Sequence, residues 1–208
     1  MHKHLFFKKI TPLFLSLLAS SALAQTDVGS WLVYKNQLKI SEKHQVDTQF
    51  QHRSFTLNLA QDQNLITAGL SRKITPAFTV GAGYRHLNTN TFLENGMYQK
   101  AALVSSLGQL KLTNSFMLEE RWIDDHFQLR YRIGITLSRQ LNEKTAVSIS
   151  NEAFLTNTAG SFNQNRFIAQ AAHRLSPSLR LNAGMMHWQF SQLKRWVFLC
   201  TLTHALSL

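Results

Sequence analysis

From Phe127 to Ser138 the chain alternates apolar and polar side chains without a break. Phe127, Leu129, Tyr131, Ile133, Ile135 and Leu137 fall on one face of an extended strand, and Gln128, Arg130, Arg132, Gly134, Thr136 and Ser138 on the other. The same period of two runs through residues 46–53, 78–85 and 110–113, so strands rather than helices are expected. Eleven strands are predicted, near residues 29–39, 44–54, 64–74, 77–88, 97–107, 110–122, 126–139, 145–155, 162–174, 179–190 and 195–206. Short turns at 74–77, 108–109, 141–144 and 176–178 alternate with connections that read as longer, at 56–63, 88–96 and 156–161. Asp124-Asp125 departs from that rule. As a two-residue turn it sets Trp122 opposite Phe127, Arg121 opposite Gln128 and Glu119 opposite Arg130.

Alternation of this kind suits a soluble barrel with an apolar interior or a membrane barrel with an apolar exterior. The N-terminus separates the two. Residues 1–9 are basic, 10–18 apolar, and Ala22-Leu23-Ala24 has the small-x-small form that precedes signal-peptide cleavage. The apolar stretch is too short for a helical membrane span, which takes about 20 residues. The expected organisation is a signal peptide over residues 1–24 and one domain over 25–208. The predicted fold is all-β, an antiparallel transmembrane β-barrel of about 10–12 strands, located in the outer membrane of a Gram-negative bacterium. Trp31, Tyr84, Trp122, Phe127, Phe154, Trp188 and Trp196 lie near predicted strand ends, where interfacial aromatic girdles are expected. Antiparallel closure requires an even strand number, so ten or twelve strands are expected and one of the eleven assignments should be in error. Residues 29–39 and 97–107 carry the weakest patterns.

Charge adds a function class. The 208 residues hold 22 Lys and Arg against 11 Asp and Glu, a net charge of +11, which falls to +8 when residues 1–24 are set aside. Strand parity places Asp47, Arg53, Arg85, Lys111, Glu119, Arg121, Arg130, Arg132, Glu152, Arg166 and Arg180 on the face opposite Ile133, which is the lumen of a membrane barrel. Eight of these eleven are basic, a lining that would favour anions in a narrow pore. The candidate site is therefore a lumen network of Glu119, Arg121, Arg130, Arg132, Glu152 and Arg166, with Glu119–Arg130 and Glu152–Arg166 as ion pairs.

Other chemistries have weaker support. A lipid-modifying enzyme needs a nucleophile, a base and an orienting group; His126 beside Asp124 and Asp125 is the nearest approach to a dyad, and it falls at a loop tip. Cys200 is the single cysteine. No cofactor, metal or catalytic residue is assigned. An envelope assembly or interaction component is a third reading, in which Lys43, Lys73, Arg139, Lys144 and Arg174 form a basic rim near the short turns. The expected partners are outer-membrane lipids and the barrel assembly machinery, with small anions or lipopolysaccharide phosphates at the basic groups. Nucleic acid is excluded by export and by the lack of an aromatic-basic stacking platform.

The order of several short motifs carries a resemblance. Gly29-Ser30-Trp31, Glu119-Glu120-Arg121, Arg130-Tyr131-Arg132, Asn151-Glu152-Ala153-Phe154 and Phe162-Asn163-Gln164-Asn165-Arg166 follow one another as in the Gram-negative outer-membrane barrels grouped as domain of unknown function 2490. The chain resembles that family over essentially all of residues 25–208. The resemblance implies a single-domain barrel and an outer-membrane location, and it implies no established activity.

Overall fold

The computed structural model describes residues 28–157 and 162–208, so the signal-peptide reading of residues 1–24 lies outside the described residues. Eleven strands follow one another: β1 (Val28–Lys39), β2 (His44–Ser54), β3 (Gln63–Lys73), β4 (Phe78–Thr89), β5 (Leu93–Leu107), β6 (Leu110–Ile123), β7 (His126–Gln140), β8 (Thr145–Thr156), β9 (Phe162–Arg174), β10 (Leu179–Phe190) and β11 (Leu193–Ser207). Each pairs with its neighbours in sequence, and β1 pairs with β11 to close a barrel. All consecutive pairs are antiparallel. The closing pair is parallel, in register from Val28↔Trp196 to Lys39↔Ser207.

That seam corrects the even-number expectation. The parity rule assumed antiparallel closure throughout, whereas one parallel contact lets eleven strands close. Neither weak segment drops out. Residues 97–107 looked poor because small and mixed residues blur both faces of β5, where Gly96, Tyr98 and Lys100 alternate with Met97, Gln99 and Ala101. The odd count also places the described ends at opposite mouths. Val28 starts at the end that carries the loops, and Leu208 finishes at the end that carries the turns, where its amide donates to the Lys39 carbonyl (3.1 Å).

The turn end is uniform. Residues 40–43, 74–77, 108–109, 141–144 and 175–178 connect the strands there. Ser41 Oγ accepts from the amides of Lys43 and His44, Thr75 Oγ1 from those of Ala77 and Phe78, and Asn142 Oδ1 from those of Lys144 and Thr145. Such side-chain acceptors stabilise a tight turn without glycine. In the two-residue turn, Gly108 supplies the left-handed backbone (φ 60°). At the loop end, the predicted 88–96 connection shrinks to residues 90–92, because β4 extends to Thr89 and β5 starts at Leu93. Asp124-Asp125 forms the expected two-residue turn with Asp124 at φ 48°, and pairs Trp122 with Phe127, Arg121 with Gln128 and Glu119 with Arg130.

The outer face is apolar down to the turn tips. Ile66, Leu70, Met97, Leu103, Phe116, Ile133, Ile135 and Ile149 are exposed there. Ile40, Ile74, Leu107, Leu141, Leu175 and Leu208, each at least 46% exposed, continue their strands' outward parity into the turn end. They recur every 33 or 34 residues. A soluble protein cannot leave such a belt in water, and strands of 11–15 residues are long enough to cross a bilayer at a tilt. The fold is therefore a transmembrane barrel. Near the loop end the outer face becomes polar, with His52 against Asn64 (3.0 Å) and His86 against Asn95 (2.8 Å). Tyr84, Trp122, Phe127 and Trp196 lie on this outer surface, whereas Trp31, Phe154 and Trp188 do not belong to the girdle. Those three have lumen parity and are packed inside.

Ile133 lies at the centre of β7 on the lipid face. Ile133→Arg is expected to destabilise the barrel by about 2–4 kcal/mol, the cost of a cation at mid-bilayer, read as a lower urea midpoint for protein refolded in lipid vesicles.

Candidate functional site

The lumen divides into a filled half and an open half. Toward the loop end, alternation along β4, β5, β6 and β7 points Arg85, Glu94, Glu119, Arg121 and Arg130 inward, and the barrel wall removes them from solvent. Glu119 is 2% exposed. Its two carboxylate oxygens accept from Arg85 (2.9 Å), Arg130 (2.5 Å) and Arg132 (2.8 Å). Glu94, fully buried, receives a two-pronged guanidinium from Arg121, with Nε at 2.9 Å and Nη2 at 2.5 Å, and a further contact from Arg85 at 3.2 Å. Arg85 thus bridges the two carboxylates. A planar fork suits this arrangement because it meets a carboxylate with two parallel hydrogen bonds and leaves its flat face free.

The flat faces are used. Phe154, wholly buried, has the guanidinium carbons of Arg166, Arg132 and Arg130 at 4.6, 4.9 and 5.4 Å from its ring centre. Trp31 receives Arg53 at 4.3 Å and Arg166 at 5.0 Å. Trp31 packs edge-on against Trp188, with ring centres 5.9 Å apart, and Met186 and Val197 complete an apolar cluster beside them. Phe55, just past β2, stacks on Trp188 at 6.0 Å and carries Arg195 on its ring at 4.7 Å. The Gln164 amide oxygen accepts from Trp188 Nε1 (2.9 Å) and from Arg166. Cation–ring contacts of this kind retain attraction in a desolvated layer, each worth roughly 0.5–2 kcal/mol.

The turn half is a vestibule. A void of about 390 Å³ at the mouth and one of about 510 Å³ deeper in the barrel share Gln37, Asp47, Lys100, Met117, Arg132 and Glu152 as lining, so they adjoin. Asp47 accepts from Lys100 (3.0 Å), Ser71 (2.6 Å) and Gln45 (2.6 Å). Glu152, one quarter exposed, lies 3.5 Å from Arg166. Lys35 projects into the deeper void and makes no hydrogen bond and no ion pair within 4.0 Å among the described residues. Tyr98 spans the wall on the other side. Its hydroxyl covers Gly69 and Gly83, where an added Cβ would lie only 2.3 and 2.5 Å away, so β3 and β4 carry glycine where the phenol crosses them.

All six residues of the expected network face the lumen. Glu119, Arg130 and Arg132 meet directly, Arg121 joins through Glu94, and Glu152 with Arg166 forms a looser pair below. Lys111 and Arg180, placed inward by the same parity, are exposed at the turn rim. Sequence reading missed Glu94, Lys35, Lys100 and the inward aromatics. Glu94 lies within the expected 88–96 connection, and a Trp31 that faces lipid puts Lys35 outward as well. Phe154 carried a usable signal, since it shares the parity of Glu152. His126 is exposed at the start of β7, and the Asp124 carboxylate accepts from the Leu93 amide (3.1 Å) rather than orienting that imidazole.

The fold and its interior define a membrane-spanning β-barrel with an ionised lumen, half filled and half open. The chain belongs to the family described as protein of unknown function (DUF2490), whose model matches residues 28–198. Among solved structures it is similar in fold to one described as KdgM porin, with a TM-score of 0.52 and 7% sequence identity over 80% of this chain and 85% of that one. No curated protein matches it in sequence.

Removing a carboxylate that three guanidinium groups share leaves buried cations in mutual repulsion. Glu119→Gln is expected to cost about 3 kcal/mol or more, the usual penalty for breaking a buried ionic cluster from one side. Glu152→Gln, at a wider separation and in contact with water, should cost about 1 kcal/mol or less. Urea unfolding of the two variants, refolded side by side in the same lipid, checks the order.

Proposed function

We propose that the protein is an outer-membrane β-barrel of the Gram-negative envelope whose narrow lumen favours anions. The observation that carries the reading is the charge balance inside. Lys35, Arg53, Arg85, Lys100, Arg121, Arg130, Arg132 and Arg166 face Asp47, Glu94, Glu119 and Glu152 in the voids and in the layer above them. Eight cations against four carboxylates leave a fixed positive excess, enclosed by a wall whose far side is hydrocarbon. Such a field lowers the energy of a permeating anion and raises that of a cation. The Glu119 layer narrows the path at the loop end, so current through the resting barrel is expected to be small.

The location follows from three supports: the signal-like pattern of residues 1–24, the apolar belt, and a fold like that of a porin. Outer-membrane lipids are then the partners of the belt, and the barrel assembly machinery is the partner for insertion. The polar pairs around His52 and His86 suit the headgroup layer, where lipopolysaccharide phosphates lie.

Planar-bilayer recording of folded protein under a potassium chloride gradient tests this reading. Small discrete steps with an anion-biased reversal potential are expected, and Lys35→Glu combined with Lys100→Glu should move that potential toward cations. Cation preference in the unsubstituted protein, or a folded barrel that passes no current, overturns it.

A further inference from the structure

The vestibule has the form of a receptor rather than of a plain conduit. It is open at the turn end and meets the buried Glu119–Phe154 layer at its inner end. Lys39, Lys43 and Lys73 line its mouth, opposed there by Glu42. Deeper in, six cations line the void. Lys100 is committed to Asp47, Arg85 and Arg132 to Glu119, and Arg166 to Glu152, while Arg53 donates to Gln51 and Gln63. Lys35 has no such partner among the described residues. Its charge feels the carboxylates of Glu152 and Asp47, yet neither approaches within 4.0 Å. Lys35 is exposed to the space it projects into, so its ammonium is held there by solvent and is free to take an incoming anion.

The surroundings of Lys35 add donors of a second kind. Gln49, Gln51, Thr67 and Gln170 line the same void. Amide and hydroxyl groups around an unpaired cation form a site for oxyanions, which need several donors from different directions. The space, about 510 Å³ at depth, is that of a small-molecule pocket rather than of a single ion. The lysines at the mouth act earlier, because like charges around a low-dielectric opening raise the local concentration of anions before they bind.

We infer that the vestibule is a binding site for a compact organic polyanion, bearing two or more phosphate or carboxylate groups, which enters from the turn end and pairs with Lys35. The inference rests on the anion-favouring reading of the lumen and deepens it by naming the ligand class and the side from which it is taken. One oxyanion group of the ligand meets Lys35, and another is held toward the Lys100 and Arg132 side of the void. The loop-end layer stops the ligand and holds it in the barrel.

Calorimetric titration of the folded full chain in zwitterionic detergent, with inorganic pyrophosphate and with citrate as probes, tests the site. Saturable binding of at least one probe is expected, weakened tenfold or more in Lys35→Gln and retained in Lys35→Arg. Tighter binding of pyrophosphate assigns the site to phosphates, and tighter binding of citrate assigns it to carboxylates. Because Lys35 has no partner to lose, Lys35→Gln should keep the heat-dependent gel shift of the folded barrel; Lys100→Gln gives a second reading of the same site. Equal affinity in the unsubstituted protein and Lys35→Gln overturns the inference, as does a folded barrel that binds neither probe. The readout needs no current. Anion-biased conductance without binding leaves the pore reading standing and removes the site, whereas binding without conductance does the reverse.

Discussion

A sheet immersed in hydrocarbon cannot leave an edge unpaired, because each bare amide or carbonyl would lose water and gain nothing. In this chain the requirement falls on β1, which reaches β11 as the barrel comes round and pairs with it in the same direction along its whole length. Everything else depends on that contact. Closure seals one face of every strand from the membrane, and strict alternation then delivers each inward side chain to a common interior. Trp31 from β1 meets Trp188 from β10 and Arg166 from β9 only across that seam.

The two kinds of cation in that interior divide the work by shape. Arginine occupies the dry layer, where a flat, weakly hydrated ion can be sandwiched between carboxylates and the faces of Phe154 and Trp31. Lysine occupies the wet half, where a compact, strongly hydrated charge keeps contact with solvent. Glycine and tyrosine adjust the wall. Tyr98 reaches across the bare backbone of Gly69 and Gly83 and fills space that larger residues on β3 and β4 would have contested. The interior thus grades from a packed ionic core to a hydrated bay.

Much of the fold was legible in the sequence because membrane strands alternate without compromise. The β6–β7 hairpin could be written down residue by residue, since a two-residue turn and two strong alternations leave one register. The closing contact was not legible. Direction at the seam depends on the total strand count, which no local pattern reports. The lumen network was partly legible through parity, and failed where parity had no anchor. On β5 the alternation is blurred by small residues, hiding Lys100 and Glu94. On β1 a tryptophan near a strand end matched the membrane-girdle habit although it faces the arginines inside. Aromatic rings serve both surfaces of a barrel, so position along the strand alone does not assign them.

The outward residues at the turn tips, Ile40, Ile74, Leu107, Leu141, Leu175 and Leu208, are separated by intervals of 34, 33, 34, 34 and 33 residues. Each interval contains one complete hairpin with its loop, so the described barrel is five modules of nearly equal length beside the single strand β1. Within a module strand length trades against loop length: β2 and β3 have 11 residues each around the loop 55–62, whereas β6 and β7 have 14 and 15 around the turn 124–125. The direction of the seam follows from the lone strand: five hairpins and one further strand bring β1 and β11 together running the same way.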